Sequence, residues 1–208
     1  MSLEQFDAHL LDSAPGFRCF ACGDPSEEPR FLARVINVVG KAGSMTAIAA
    51  VDTACSADAP ALRRFVQRHD GVMLYQDEKS DAAGIEFFKA TEWQVRTKEM
   101  RESMIAMGFE ENDMPEWFHK GVVFGEIPHS GNYFVVQPSG IGAGRVFYCD
   151  HDDFQTEPLA ESLEDLLSLI VKDPPGFLYQ CGCFTRYSDG KTDIQWIPMA
   201  YIADCRCG

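Results

Sequence analysis

Between Phe118 and Cys149 three apolar runs rich in β-branched and aromatic residues are separated by two clusters of turn formers. The runs are Phe118–Ile127, Asn132–Gln137 and Arg145–Cys149, with His129-Ser-Gly-Asn132 and Pro138-Ser-Gly-Ile-Gly-Ala-Gly144 between them. Such spacing reads as strands joined by hairpin turns. Strands and helices do not alternate regularly along the rest of the chain. The expected class is therefore α+β, a mixed and largely antiparallel sheet flanked by helices, rather than a doubly wound parallel fold.

The flanks supply the helices. Ala59–His69 carries Leu62, Phe65, Val66 and His69 on one face, with Asp58 as N-cap, Pro60 in the first turn and Gly71 beyond the end. Val72–Tyr75 and Gly84–Lys89 read as strands. Thr91 and Gln94 have the spacing of a capping box, opening a helix with Trp93, Met100, Met104 and Met107 on one face and Gly108 at its end. Ser162 with Asp165 starts a last helix with the stripe Leu163, Leu166, Leu167 and Ile170, which Pro174-Pro-Gly176 should close. Met1–Pro29 reads as irregular. Phe31–Val39 fits a helical stripe through Leu32, Val35, Ile36 and Val39, but its β-branched content favours a strand paired with Met45–Val51 as a hairpin across Gly40–Gly43. Phe177–Tyr187 with Thr192–Ile202 reads as another hairpin.

The charge narrows the function classes. Thirty-two Asp and Glu against 18 Lys and Arg give a net charge of −14, which disfavours nucleic acid and anionic membrane surfaces and favours a basic protein partner. The acids concentrate in two runs. Asp150–Asp173 holds eight acids and one base, and Glu99–Trp117 holds six acids and one base. Such runs are ordinarily solvated faces; two beside loops can also form one docking surface. The N-terminus shows neither a basic nor an apolar leader segment, so the expected setting is cytoplasmic, with no membrane association.

Six of the eight cysteines form close pairs, Cys19 with Cys22, Cys181 with Cys183, and Cys205 with Cys207. Cys19-x-x-Cys22 could form one zinc knuckle, completed by Cys181 and Cys183, or alternatively by Cys205 and Cys207. Only one pair has the usual knuckle spacing, so the expectation is no cofactor and plain thiols, with a structural zinc on Cys19, Cys22, Cys181 and Cys183 as the alternative. Gly140-Ile-Gly-Ala-Gly144 lacks the third glycine position and the following helix of a dinucleotide fingerprint, so it is a hairpin loop.

The order of elements resembles the SUKH superfamily, which joins fungal cell-wall-synthesis regulators with bacterial toxin-immunity proteins. The resemblance runs through the helix and following strand around Leu62–Gly71, the hairpin Val122–Glu126 with Gly131-Asn-Tyr-Phe-Val135, the turn at Asp150-His-Asp152, and the leucine helix from Glu161. It covers residues 55 to 172 and implies a non-catalytic protein-binding module. The expected organisation is an N-terminal extension over 1–54 with the C-x-x-C, a SUKH-like domain over 55–175, and a C-terminal hairpin extension over 176–208. Both ends carry apolar runs that need burial and should pack on the core or on each other. Asp150, Asp152, Asp153 and Glu157 are the expected rim charges for the partner, with Trp117 and Tyr133 as anchors or, alternatively, as core-packing aromatics. The alternative from another class is a small metal-dependent hydrolase using His151, Asp152 and His119, which requires those groups to converge.

Overall fold

In chain order the elements are α1 (Leu3–Leu11), β1 (Phe17–Ala21), β2 (Phe31–Ala33), β3 (Val35–Val39), α2 (Met45–Ala54), α3 (Pro60–Arg68), β4 (Val72–Asp77) and β5 (Ile85–Phe87). They continue with α4 (Trp93–Ala106), α5 (Glu116–Lys120), β6 (Val122–Ile127), β7 (Asn132–Val136), β8 (Val146–Cys149), α6 (Leu163–Lys172), α7 (Pro174–Gln180) and β9 (Trp196–Pro198). This computed structural model describes all residues except 12–15, 22, 25, 27, 56–59, 80–83, 153–155, 182–186 and 200–208. Asp58, the expected N-cap of α3, lies outside the described residues.

Among the described residues two sheets form, one of six strands in the order β3-β4-β5-β6-β7-β8 and one of three in the order β2-β1-β9. Every described strand pairing is antiparallel. The α+β expectation holds, and both ends pack on the core. The N-terminal segment contributes β3 to the large sheet, while β1 pairs with β9 from the other end of the chain.

One face of the large sheet is aromatic and dry. Phe87 and Phe124 stack with centroids 5.5 Å apart, Phe65 of α3 meets Phe87 edge-on at 5.7 Å, and Phe177 of α7 stacks on Phe134 at 6.2 Å. Where β5 ends, α4 takes its place beside β6. The buried Thr97 hydroxyl accepts from the Val123 amide at 2.8 Å and donates to the Trp93 carbonyl at 2.7 Å, doing for β6 what a neighbouring strand would do.

Several local expectations are overturned, each for an identifiable reason. Met45–Val51 is helical, as part of α2. Ser44 caps it by accepting from the Ala47 amide, and Ala47, Ile48 and Val51 are its buried positions. Phe31–Val39 splits at Arg34 into strands of different sheets, so the expected hairpin does not form. The N-terminal stretch is not irregular throughout, since Leu3, Phe6 and Leu10 make the buried stripe of α1. Thr91 lies in a 3-10 turn and caps nothing, because Asp70 Oδ1 accepts from the Ala90 amide at 2.8 Å and sets the turn instead. Met107 is exposed rather than part of the buried face of α4. Phe118 belongs to α5 rather than to the following strand.

Pro174-Pro-Gly176 closes α6 at Lys172, as expected, and also opens a further helix. Asp173 accepts from the Gly176 amide and the prolines occupy first-turn positions where no amide is required, so Phe177–Gln180 is helical. Among the described residues of the expected C-terminal hairpin, Tyr187 and Trp196 form a single bridge, and β9 pairs with β1.

The leucine helix α6 behaves as read. Ser162 Oγ accepts from the Asp165 amide at 3.2 Å and donates to the Asp165 carboxylate at 2.8 Å. Ser162→Ala is expected to cost about 1 kcal/mol, a drop of about 2–4 °C in the thermal midpoint of a chain this size. A circular-dichroism melt reads it directly.

Candidate functional site

Strand alternation sends the dry face's neighbours to the opposite side of the six-stranded sheet. Across that side the register aligns Val38, Met73, Glu86, Glu126, Tyr133 and Cys149 on six adjacent strands. Met73, Glu86, Glu126 and Tyr133 are half-buried. α5 covers the neighbouring end of this side, where Trp117 stacks on Phe147 with centroids 5.4 Å apart.

Gly125 brings the two glutamates together. A Cβ there would lie 2.5 Å from the Glu86 carbonyl oxygen and 2.8 Å from the Phe87 ring, so β5 can approach β6 this closely only because the side chain is missing. Glu86 and Glu126 are then direct cross-strand partners. Like charges so placed repel. Burial, reinforced by Glu86, pushes the Glu126 carboxyl up to about 7. Burial also raises Glu86, while Arg96 on α4 and His129 at the β6–β7 turn pull it back. Tyr133 is raised by burial and then by Glu126. Arg96 draws both carboxyls down by its charge but forms its ion pair with Glu99 at 3.3 Å, its guanidinium lying over the Phe88 ring. Neither Glu86 nor Glu126 forms an ion pair with a described residue.

At the far end of β8, Asp150, His151 and Asp152 form a tight turn. The Tyr148 hydroxyl donates to the Cys181 carbonyl at 2.9 Å and therefore accepts from Asn132 Nδ2 at 2.8 Å. Asn132 Oδ1 is thereby turned toward His151 and accepts from its backbone amide at 3.0 Å and from Nδ1 at 2.7 Å. One ring nitrogen is thus engaged in holding the turn. The other, Nε2, lies 3.4 Å from an Asp152 carboxylate oxygen. Asp150, His151 and Asp152 could each offer one ligand atom to a cation, but His119 does not join them. It lies on α5, lining a separate cleft of about 430 Å³ with Thr97, Lys98, Arg101 and Lys120. Arg101 there holds the Phe118, His119 and Gly121 carbonyls, while Lys98 and Lys120 pair with Glu102 and Glu116. The His151, Asp152 and His119 hydrolase arrangement is therefore not assembled.

The model of the SMI1/KNR4 family (SUKH-1) matches residues 60–169, more than half of the chain. The chain belongs to the SMI1/KNR4 (SUKH-1) family. No curated protein matches it. The SUKH-1 region runs from α3 into α6 and contains the whole central meander, with Glu86, Glu126 and Tyr133 inside it and every paired cysteine outside.

The sequence-derived residues meet different fates within this SUKH-1 fold. Tyr133 lies in the row beside Glu126, and Asp150 and Asp152 flank the His151 turn. Glu157 is exposed, and Asp153 lies outside the described residues. Trp117 is 4% exposed and packs on Phe147, so it is a core residue rather than a partner anchor. Of the zinc candidates, Cys19 and Cys181 are buried, and burial pushes the Cys19 thiol up to about 12. Cys22 and Cys183 lie outside the described residues. Glu86 and Glu126 went unread in the sequence. The available signal was an acid flanked by apolar strand residues, in Ile85-Glu-Phe87 and Gly125-Glu-Ile127, inside segments already assigned as strands.

Proposed function

We propose that this SUKH-1 chain is a non-catalytic protein-binding module, of the immunity or regulatory kind, whose partner is a basic protein that docks on the open side of the large sheet. The observation that carries the reading is the opposed Glu86 and Glu126 pair, half-buried and without an ion pair among the described residues. Two carboxylates held together destabilise the free protein, and an incoming lysine or arginine relieves that repulsion. Tyr133 beside them offers an aromatic contact of the type enriched at binding hot spots. The net charge of −14 adds long-range attraction for a cationic partner. A cytoplasmic setting fits such a role, and no described helix is long and apolar enough to cross a membrane.

The test is affinity capture from the source cells with wild type and with a Glu86→Gln, Glu126→Gln double variant, each at low and high salt. The expected result is a basic protein retained by wild type at low salt, lost at high salt, and at least tenfold depleted on the double variant. Equal retention of every captured protein by both baits overturns the docking face. Turnover of a substrate by the purified chain, abolished by a change at His151, would return the hydrolase reading.

A further inference from the structure

The two edges of the large sheet are treated differently. At the β8 edge, Val146 and Ala160 exchange backbone hydrogen bonds of 2.9 and 3.2 Å, so the segment leading to α6 bridges that edge at Val146. At the β3 edge no described strand pairs beyond Val35–Val39, and this strand carries neither lysine nor proline, the residues that ordinarily guard a free edge. Ile36, Val38 and Val39 are 43%, 50% and 40% exposed.

Beside that bare edge the sheet face sinks into a hollow of about 270 Å³. Val38, Val39 and Met73 form an apolar wall, and Asp70, Glu86 and Glu92 supply three carboxylates against one cation, Lys89. Asp70 is engaged with the Ala90 amide, whereas Glu86 has no ion-pair partner among the described residues. An apolar wall leading to a carboxylate matches a side chain with a methylene stem and a cationic end.

We propose that this hollow is the anchor site for an arginine side chain of the partner, its stem lying along Val38 and Met73 and its guanidinium on the Glu86 carboxylate, with Glu126 behind it. This rests on the basic-partner reading and deepens it. Arginine fits better than lysine because its planar fork can bond a carboxylate through two donors and its weaker hydration lowers the cost of entering a half-buried site. The bare β3 edge leaves room for the partner's backbone beside the anchor.

The probes are N-acetyl-arginine amide, N-acetyl-lysine amide and the uncharged N-acetyl-norleucine amide, titrated into 15N-labelled full-length protein. The arginine probe is expected to shift the amides of Val38, Met73 and Glu86 saturably at millimolar concentration, and the lysine probe several-fold more weakly. The norleucine probe should not reach saturation. Glu86→Gln should weaken the arginine probe at least fivefold, and the exposed Val38→Ser about twofold. Shifts that are absent, spread over all acidic surfaces, or unchanged in Glu86→Gln overturn the anchor site. If the probe fails while the double glutamine variant still loses its captured partner, the docking face stands and only the arginine anchor falls. If both fail, the basic-partner reading falls with it.

Discussion

Replacing Trp117 with alanine is expected to lower the unfolding free energy by about 3–5 kcal/mol, seen as a large drop in the urea midpoint with little change in slope. The indole is 4% exposed and stacks on Phe147 with an interplanar angle of 14°. Phe147 in turn sits on β8 between Val135 of β7 and the helix, so the truncation opens a void against two strands and α5 at once. The same substitution at Tyr133, half-buried in the row with Glu126, should cost much less stability and act on partner capture instead. The pair of variants separates core from interface. A Trp117→Ala protein with an unshifted urea midpoint would mean that the indole is not holding the sheet end closed.

The contrast between these two aromatics shows how far the residues could be read in advance. Both stand near strand starts with apolar neighbours, and the sequence offers the same hydrophobic signal for each. The difference arises from the one-turn helix at Glu116–Lys120, which folds Trp117 back onto the sheet. A helix that short has almost no periodicity to detect. The central meander was legible because its turns are marked by glycine and its strands by β-branched runs. The three glycines of the β7–β8 loop all adopt the positive φ that such a loop requires, between 80° and 90°. Segments that went the other way were short apolar runs whose type is decided by their neighbours. Met45–Val51 became a helix because Ser44 caps it, and Phe177–Gln180 because Asp173 does.

The candidate site was legible only in part, for a different reason. Sequence-local acid runs stood out at Asp150–Asp173, whereas Glu86 and Glu126 are 40 positions apart and meet only through strand register. A one-residue slip of β6 would turn Glu126 to the dry face, so their meeting is a property of the fold rather than of either segment. The bare Gly125 was visible as a strand glycine. Its role appears only when the Glu86 carbonyl is seen against it.

That enforced meeting gives the second large effect. Glu126→Gln is expected to stabilise the free protein above neutrality and to change little in mild acid. The Glu126 carboxyl is pushed from the ordinary 4.5 up to about 7 in the folded chain, first by burial and then by Glu86. Folding therefore takes up a proton between these values. The stability of the wild type is intact below about pH 4.5, declines as pH rises toward 7, and stays reduced above it. At about 1.4 kcal/mol per pH unit the full difference would be about 3 kcal/mol, and solvent screening of a half-exposed side chain leaves about 1–2 kcal/mol. Glutamine removes the charge at every pH, so its gain should appear as a thermal midpoint about 2–8 °C above wild type at pH ~8.5 and nearly equal at pH ~4.5. An equal shift at both pH values would mean that the repulsion is relieved in the free protein. The same linkage constrains binding. A cation seated on the pair favours the charged carboxylates, so its arrival expels the proton and partner affinity should fall as the medium is acidified below 7, by at most tenfold per pH unit for one proton. A partner whose affinity is flat from pH ~5 to ~8 would have to contact some other part of the acidic surface.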